Sequence, residues 1–566
     1  MAPRQITPDV SVTSQMDGAA LARAASAGYR TIVCARPDGE EPGQPDAAEM
    51  ALLADALGMA FVHIPVAPGA FDDEAVAQMR AVLDKLPSPI LGYCRSGMRA
   101  ATLWALAEAG HRPAEDILGL ASRAGFDLSA QCPRLAPAPT ETDPGSAPAP
   151  RVHDVVIVGG GAAGIATASS LLKRRPSLDI AIVEPATCHY YQPGWTMVGA
   201  GIFKPETTRH PMAEVMPAGV TWIRQAAAGF APQMREVVLA DGASVRYRAL
   251  VVAPGLRLAW DAIPGLSETL GENGVTSNYR YDLAPYTYRL ASDMRPGRAL
   301  FTQPAMPIKC AGAPQKAMYL CCDIWREAGI LPRMEVEFHN AGGVLFGVPT
   351  YVPALMDYVE RYGIDLNFGS ALVAVDGPAR IATFERKRAD GRPERVERTF
   401  DMLHAVPPQT PLDVVAASPL AGPGGWIEVD PATLRHVRHE DVFALGDATD
   451  TPNAKTAAAA RKQAPVVAVN VLAALDGKAP AAQYNGYGSC PLTVERGRIV
   501  LAEFGYGGAL LPTFPKWMLD GTRPTRRAWF LKDRMLPPIY WYAMLRGREW
   551  LCAPEPIAAP PESGPA

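Results

Sequence analysis

Residues 155–164 read Val155-Val156-Ile157-Val158-Gly159-Gly160-Gly161-Ala162-Ala163-Gly164, a short apolar run followed by the pattern G-x-G-x-x-G. The run predicts a buried strand, and a helix from Ile165 to Lys173 with a second strand at 180–184 completes a βαβ unit. Glu184 ends that strand 20 residues after Gly164, where a carboxylate can accept hydrogen bonds from ribose hydroxyls. Because such glycines let backbone N–H groups approach a pyrophosphate, a dinucleotide site is favoured over a glycine turn without a ligand.

A second cofactor signal lies further along the chain. Residues 442–447 read Val442-Phe443-Ala444-Leu445-Gly446-Asp447, and a helix is predicted to begin after Lys455 and Thr456. A strand that ends in Gly-Asp resembles the device with which FAD enzymes of the glutathione-reductase type hold the ribityl chain. A helix N-terminus near the isoalloxazine would stabilise the negative charge of a reduced flavin. The two signals together predict FAD.

A cysteine occupies the place where a second dinucleotide site is usual. The segment Pro307-Ile308-Lys309-Cys310-Ala311-Gly312-Ala313-Pro314-Gln315-Lys316 lies between a predicted strand at 299–302 and a predicted helix at 315–325. Most flavoenzymes with two dinucleotide sites carry their NADH glycine fingerprint here, and it is missing. Cys490 follows 180 residues later. We therefore expect the electrons to come from sulfur rather than from NADH.

The totals describe a multidomain globular protein. The chain has 566 residues, enough for three or four domains, with 48% hydrophobic and 20% charged residues. A net charge of −4 does not favour nucleic-acid binding. The first residues lack the apolar segment of a secretory signal, and no apolar run reaches the roughly 18 residues of a membrane span. Nine cysteines are too few for a disulfide scaffold, so any disulfide is expected to be catalytic.

A Pro/Ala-rich stretch divides the chain. Large apolar residues are almost absent from residues 133–151, a composition typical of a semi-rigid linker. We predict a small α/β domain at 1–132 and a flavoprotein core at 152–500. That core should contain two Rossmann-like domains, as in glutathione reductase, the second without an NADH loop.

The small domain carries a cysteine between a strand and a helix. Alternating strands and helices predict a sheet with helices on its faces. Tyr93-Cys94-Arg95-Ser96-Gly97-Met98-Arg99 follows the strand at 90–93, so backbone N–H groups and a helix dipole can hold Cys94 as a thiolate. Protein tyrosine phosphatases need Cys-x5-Arg. The loop here is Cys94-x4-Arg99, and it resembles the shorter loop of rhodanese-type sulfurtransferases, whose cysteine carries a persulfide.

The flavoprotein part resembles the sulfide:quinone oxidoreductases of the mitochondrial-like type, from about Val152 to about Leu551. The matching pieces are Tyr191-Gln192-Pro193-Gly194-Trp195-Thr196, the Cys310 segment, Lys455-Thr456-Ala457-Ala458-Ala459 and Asn485-Gly486-Tyr487-Gly488-Ser489-Cys490-Pro491-Leu492. The resemblance implies that sulfide attacks a Cys310–Cys490 disulfide, that Cys490 keeps the sulfur as a persulfide, and that Cys310 passes two electrons to the flavin. Lys309 and Lys316 could lower the pKa of Cys310.

The same resemblance implies further site residues and partners. Glu268 is a weaker candidate for a proton acceptor, and a solvated loop acid is a nearly equal alternative. Electrons would pass to a ubiquinone-type membrane quinone, and sulfur to a low-molecular-weight thiol, sulfite or cyanide. No metal site is expected, and a homo-oligomer stays open. The residues expected to hold FAD are Gly159, Gly161, Ala162, Ala163, Gly164, Glu184, Gln192, Ala227, Gly446, Asp447, Lys455 and Thr456.

The small domain as a whole resembles the phosphatase-like family called beta-lactamase hydrolase-like. Its opening, Ile6-Thr7-Pro8-Asp9-Val10-Ser11-Val12-Thr13-Ser14-Gln15, fits that pattern. Members are named after phosphatases but are linked to sulfur metabolism, so Cys94 and Arg99 are expected to transfer sulfur. A phosphatase stays open: Asp72 or Asp73 could supply its acid, although acids at a helix start are ordinary caps. The remaining cysteines are expected to be structural: Cys34, Cys132, Cys188, Cys321, Cys322 and Cys552.

The last stretch, residues 501–566, mixes aromatic, basic and apolar residues. Four of the ten tryptophans fall here, at Trp517, Trp529, Trp541 and Trp550. Such a mixture is typical of amphipathic helices that lie on a bilayer, where a lipid-dissolved quinone can enter. The alternative is a helix docked on the protein core.

The sequence therefore predicts a bifunctional flavoprotein that oxidises sulfide and passes sulfane sulfur from Cys490 to an acceptor, and it leaves open whether the sulfur travels through Cys94 of the first domain. We expect it to lie on the inner face of the cytoplasmic membrane, facing the cytoplasm. Two alternatives remain: an NADH:quinone oxidoreductase-like protein with a tyrosine phosphatase-like domain, and a non-catalytic persulfide or redox sensor.

Overall fold

A computed structural model describes residues 3–41, 43–67, 71–126, 128, 132–135, 151–387 and 391–557. The chain divides into two compact units, Met1–Ala147 and Pro148–Ala566. The boundary falls within the Pro/Ala-rich stretch, of which residues 136–150 lie outside the described residues. The domain limits given above otherwise stay predictions.

The first unit is a five-stranded sheet between two layers of helices. Its strands, in spatial order, are Arg4–Thr7, Val10–Thr13, Ile90–Tyr93, Thr31–Cys34 and Ala60–His63, and all neighbours except the first pair are parallel. One core packs against each face of this sheet. The predicted α/β arrangement is confirmed, and its helices are Gly18–Ser26, Ala47–Ala56, Asp73–Lys85, Met98–Ala107, Ala114–Arg123 and Cys132–Leu135.

The first residues of the predicted linker include a packed side chain. Leu135 is fully buried in the core of the first unit, so the chain is still packed two residues beyond Pro133. Burial of the apolar Leu135 side chain is favourable enough to keep this residue packed, although the composition around it is typical of a linker. The side chain of Cys132 lies outside the described residues. Asp72 caps the helix Asp73–Lys85 by accepting a hydrogen bond from the N–H of Ala75 at 2.8 Å.

The second unit begins with the sheet predicted from the glycine stretch. In spatial order its strands are Thr221–Ile223, Ile180–Val183, Val152–Val158, Ser244–Val252, Glu236–Leu239 and Ala227–Ala231, and Val442–Ala444 pairs with Ser244–Val252. Val155, Val156 and Ile157 are fully buried between the layers. Two long helices pack against each other on this sheet, Ala162–Arg174 and Ala457–Leu475.

A second parallel sheet follows in the same unit. Its strands, in spatial order, are Val275–Thr276, Met402–His404, Arg298–Gln303, Glu335–Asn340 and Ile364–Phe368. Its helices are Ala284–Asp293, Ala313–Glu327 and Val352–Tyr362. An antiparallel sheet lies beside it, made of Ser370–Asp376, Ile381–Lys387 and Pro393–Thr399. This pair of Rossmann-like sheets confirms the predicted fold class.

The cysteine hairpin, strands Gly488–Glu495 and Arg498–Phe504, packs on the second sheet through helix Ala313–Glu327. After the hairpin come three consecutive helical segments, of which the middle one is a π-helical turn: Arg526–Phe530, Leu531–Met535 and Leu536–Tyr542. Within the described ranges, no helix is both long and apolar enough to cross a bilayer. The minor elements are strands Cys188–Tyr190, Arg209–Pro211, Arg257–Leu258, Gln409–Thr410, Ala482–Gln483 and Glu555–Pro556, and helices Trp195–Val198, Met212–Val215, Leu266–Thr269 and Asp413–Ala416.

Candidate active site

The structure brings the two predicted redox cysteines together. The sulfur of Cys310 lies 3.6 Å from that of Cys490. Cys310 sits in the loop before helix Ala313–Glu327 with a left-handed backbone (φ +82°), and Cys490 lies on the cysteine hairpin. A Cβ added at Gly312 would lie 2.6 Å from the sulfur of Cys490. Only glycine therefore lets the loop bring one cysteine this close to the other.

Lys316 makes the pair electrostatically unequal. Its ammonium donates a hydrogen bond to the sulfur of Cys310 at 3.3 Å. The pKa of Cys310 lies well below its ordinary value, because the thiol of Cys490 and then Lys316 donate to its thiolate, against the cost of burial. The pKa of Cys490 is raised, because it is the hydrogen-bond donor and because it is buried. The reduced pair therefore carries its negative charge on Cys310.

A second buried lysine, Lys532, was missed by sequence reasoning. Its side chain is 3% exposed, and its ammonium donates to the carbonyl of Pro193 at 2.8 Å. Burial, and then repulsion from Lys316, lowers its pKa to about 7, although the two cysteines raise it. It comes from the π-helical turn of the C-terminal stretch, a feature that often marks functional positions. No local pattern in the sequence connects this lysine with cysteines so distant along the chain.

The glycines of the first fingerprint divide into two kinds. A Cβ at Gly159 or Gly164 would overlap neighbouring backbone, so both are needed for close packing of strand and helix. A Cβ at Gly161 would meet nothing within 4 Å. Ala162 and Ala163 start the helix, so their N–H groups are among those that a helix leaves without internal partners. The turn thus has room and donors for a pyrophosphate.

Glu184 faces the same turn. Its carboxylate accepts hydrogen bonds from the N–H groups of Gly160 and Ala186, each at 2.7 Å. Burial raises its pKa despite these two donors. Ala227 begins the edge strand of this sheet and is half-buried. The acid at the end of the second strand is therefore placed as a ribose-binding acid would be.

The Gly446–Asp447 segment lies close to the fingerprint helix. A Cβ at Gly446 would touch the Cβ of Ala163 at 3.2 Å. Lys455 donates to the backbone carbonyl of Asp447 at 3.0 Å, and its pKa is lowered to about 8 by burial. Thr456 caps helix Ala457–Leu475 by accepting from the N–H of Ala459 at 3.1 Å. These contacts fix the segment against the start of a 19-residue helix.

Lys309 connects this segment to the cysteine loop. Its backbone forms a bridge with Lys455, and its ammonium donates to the side chain of Gln192 at 2.6 Å. The ammonium also lies 5.9 Å from the ring centre of Trp195, whose buried indole N–H has no partner in the described structure. The open space at Gly161 and this unpaired donor both fit a large polar cofactor such as FAD.

Glu268 is not brought to the cysteines. It lies exposed on helix Leu266–Thr269, which packs against strand Ser370–Asp376. In the described part of the chain no hydrogen bond or ion pair joins Glu268 to the cysteine pair. The geometry supports the alternative of a solvated acid.

The first unit holds its own cysteine in a tight loop, residues 94–99. Cys94 is 1% exposed, and its sulfur accepts a hydrogen bond from the N–H of Gly97 at 3.2 Å. Gly97 has φ +91°, a conformation that suits glycine. Arg99 is bound through both terminal nitrogens to Glu40, at 2.5 and 2.7 Å. Glu40 was another residue that the sequence did not single out, because its partner lies 59 positions away.

Four of the other described cysteines differ from Cys310 in their pKa. Burial raises the pKa of the thiols that the sequence analysis took as structural, namely Cys34, Cys321, Cys322 and Cys552. Cys188 is half-buried and accepts a hydrogen bond from Arg209 at 2.9 Å.

Part of the C-terminal stretch docks on the protein and part faces outward. Trp541 is buried in the core of the first sheet of the second unit. In contrast, Trp517 is 79%, Phe530 58% and Tyr542 64% exposed. Docking on the protein core therefore describes Trp541, whereas the exposed side chains remain available for contact with a bilayer.

Two family models match the chain. The model described as "Beta-lactamase hydrolase-like protein, phosphatase-like domain" matches residues 3–111. The model described as "Pyridine nucleotide-disulphide oxidoreductase" matches residues 153–288. Each match lies in one of the two units, and together they agree with the predicted α/β fold.

The second unit has full-length relatives. The mitochondrial sulfide:quinone oxidoreductase of Dictyostelium discoideum is 40% identical over 400 residues, which cover 70% of this chain and 87% of that protein. The mitochondrial enzyme of Mus musculus is 36% identical over 395 residues, with the same coverage. A crystal structure of the Aquifex aeolicus sulfide:quinone oxidoreductase has a TM-score of 0.57 over 70% of this chain and 91% of that chain. Its 19% identity bears on the fold alone.

These comparisons overturn one prediction. The sequence patterns predict a position on the inner face of the cytoplasmic membrane. That location is wrong, because both relatives are named as mitochondrial proteins. The sequence patterns behind that prediction do not distinguish one membrane from another.

Proposed function

The chain belongs to the sulfide:quinone oxidoreductase family, and on that premise we propose that Cys310 and Cys490 oxidise sulfide and that the first unit handles the sulfur. The family uses FAD, and its reaction joins sulfide oxidation to quinone reduction. The observation that carries the proposal is the 3.6 Å separation of the two sulfurs beside the Lys316 ammonium.

The cycle begins with the pair oxidised to a disulfide. Hydrosulfide attacks the sulfur of Cys490, the S–S bond breaks, and Cys310 leaves as a thiolate while Cys490 carries a persulfide. Lys316 stabilises the leaving thiolate, which is the better leaving group because of its low pKa. This assignment supports the order of roles that the resemblance implies: sulfur on Cys490 and charge on Cys310.

Turnover then requires an acceptor for the sulfur. A thiolate acceptor, or a second hydrosulfide ion where no thiol is present, attacks the outer sulfur of the Cys490 persulfide and leaves with it, which frees the Cys490 thiolate. The two cysteine thiolates re-form their bond and release two electrons. Bound FAD supplies the two-electron carrier between this bond and a membrane quinone. Gly161, Glu184 and the Gly446–Asp447 segment are the groups that would hold it.

Steady-state quinone reduction tests the cysteine roles. We expect Cys310→Ser and Cys490→Ser each to lower sulfide-dependent reduction of a soluble quinone at least a hundredfold, with FAD still bound. Cys321→Ser is the matched control, because Cys321 is as buried as Cys490 and lies in the same apolar core. If either site variant retained full activity, the proposed exchange between the two sulfurs would be wrong.

We further propose that the first unit is a sulfurtransferase that takes sulfane sulfur on Cys94. The N–H of Gly97 and the guanidinium of Arg99 are in place to stabilise sulfur anions on this residue. A phosphatase is the competing function. Transfer of sulfur from thiosulfate or a thiol persulfide to cyanide, lost in Cys94→Ser, would support the first. Hydrolysis of an aryl phosphate, lost in the same variant, would support the second.

The membrane surface is the last part of the proposal. The exposed aromatic side chains at 517, 530 and 542, with the exposed Arg526 and Arg527, suit an interface between water and lipid. Lys532 lies on the same segment and near the cysteine pair. A quinone that entered from lipid at this surface would therefore approach the redox site directly.

A further inference from the structure

The two arginines of the Cys94 loop, Arg95 and Arg99, already form ion pairs with two acids, Glu41 and Glu40. Arg99 is bound by both oxygens of Glu40, and Glu40 also accepts from the Nε of Arg36 at 2.7 Å. Glu41 pairs with Arg36 and with Arg95, each at 2.8 Å. Arg36 is 1% exposed, so this network reaches into the interior of the unit.

The pairing occupies most of the terminal N–H groups of Arg99. Its Nη1 donates to Glu40 and to the carbonyl of Val66 at 2.7 Å, which uses both protons of that nitrogen. Nη2 gives one proton to Glu40. The pKa of Arg99 is raised, first by its hydrogen bond with Glu40 and, against the cost of burial, also by the charge of Cys94. Glu40 therefore orients Arg99 as well as neutralising it.

The charges of the network nearly cancel. Three guanidiniums meet two carboxylates, so the five side chains keep a single positive charge. The pKa of Glu40 is lowered to about 2, first by its bond with Arg99, so the acid stays ionised at any physiological pH. One excess positive charge matches a thiolate or a persulfide anion. It does not match a phosphate dianion placed next to a cysteine thiolate, because like charges repel strongly where water is excluded.

We propose that Glu40, supported by Glu41, determines which substrates the Cys94 loop takes. It orients Arg99 toward one singly charged sulfur and disfavours dianionic oxyanions such as phosphate. Glu40 is a positioning and specificity residue, since it acts through Arg99. This inference rests on the proposed sulfur chemistry of Cys94, and it explains why a loop of phosphatase-like ancestry would handle persulfide sulfur.

The proposed role of Glu40 can be tested with inorganic phosphate as the probe. In the full-length chain with FAD bound, phosphate is titrated against the rate at which iodoacetamide alkylates Cys94, followed by mass spectrometry of its peptide. We expect the half-protecting phosphate concentration to fall at least tenfold in Glu40→Gln. Glu49→Gln is the matched control, an exposed acid of the same unit outside the network, and it should change the value less than twofold.

Glu40→Asp separates charge from misfolding. It keeps the carboxylate but shortens it, so phosphate protection should stay within threefold of the unchanged protein even though the grip on Arg99 loosens. An unchanged value in Glu40→Gln, or an equal fall in Glu40→Asp, would overturn the proposal. The alkylation assay needs no turnover, so it can fail while sulfur transfer by Cys94 stands, and the transfer assay can fail while the charge effect stands.

Discussion

At the scale of single residues, the proposed chemistry depends on how Lys316 divides one negative charge between two sulfurs. The thiolate sits on Cys310 because a buried ammonium and the thiol of Cys490 both donate to it. A cysteine in an apolar site without these donors keeps its proton, as the raised pKa of Cys321 illustrates. The asymmetry decides which sulfur leaves and which one keeps the sulfane sulfur.

Replacing Lys316 should therefore move the pH dependence of the first step. In Lys316→Met the pKa of Cys310 rises, because a donor and a positive charge are removed, so its thiolate forms only at higher pH. We expect the rate of sulfide-dependent flavin reduction near neutral pH to fall at least tenfold and its pH profile to shift to higher pH. Lys316→Arg keeps the charge and should recover part of the rate. An unshifted profile in the methionine variant would contradict this role.

Lys532 should be visible in the pH dependence of stability. Its pKa is about 7 in the folded chain and near 10.5 when exposed, so between these values the unfolded chain binds the additional proton. Stability due to this group then rises with pH across that window. The measurement is thermal unfolding of Lys532→Met and of the unchanged protein at a series of pH values. We expect the difference between their Tm values to be largest near pH 7 and to shrink toward pH 10. A constant difference would show that the lysine is not held in this environment.

At the scale of elements, the glycine turn can be dissected by two substitutions. Gly164→Ala places a Cβ against backbone and should destabilise the unit, lowering both Tm and FAD content. Gly161→Ala meets nothing within 4 Å of its new Cβ, so the fold should persist. Its methyl group would occupy the space for the pyrophosphate. The FAD content should therefore fall while Tm stays unchanged. Full FAD content in Gly161→Ala would show that the cofactor lies elsewhere.

The C-terminal segment offers a second test at this scale. Trp517→Ser and Phe530→Ser together remove exposed aromatic surface without touching the core. We expect weaker binding to phospholipid vesicles and slower reduction of a long-chain quinone in them, with unchanged reduction of a short soluble quinone. Trp541 is the contrasting position, because it is buried and its loss should lower Tm instead. If the double variant bound vesicles as strongly as the unchanged protein, the proposed membrane role of the exposed aromatic residues would be wrong.

At the scale of the whole molecule, the local strand and helix motifs could be predicted well from the sequence. The contacts between residues far apart along the chain could be predicted only in part. The strand–glycine–helix pattern at 155–164 and the strand before Gly446 follow rules of local periodicity and turn chemistry. The pairing of Cys310 with Cys490 came from resemblance, not from spacing. Lys532 and Glu40 were missed because each reaches its partner only through the tertiary fold. The burial of Leu135 was not predicted, because composition alone cannot show that one apolar side chain is buried.

The two units should be separable in function. Because Cys94 and the Cys310–Cys490 pair belong to different units, Cys94→Ser should leave the rate of flavin reduction by sulfide unchanged within twofold. Sulfur transfer to cyanide from the first unit should be lost. Loss of both activities in this variant would mean that Cys94 takes part in the redox step itself.

The most direct test of the central claim is anaerobic mixing of the purified protein with sulfide, and separately with NADH, while the flavin absorption band is followed. We predict bleaching by sulfide alone, reversed by a soluble quinone, and none in Cys310→Ser. Bleaching by NADH alone would contradict the account, because the Cys310 loop would then serve a nicotinamide cofactor rather than sulfide.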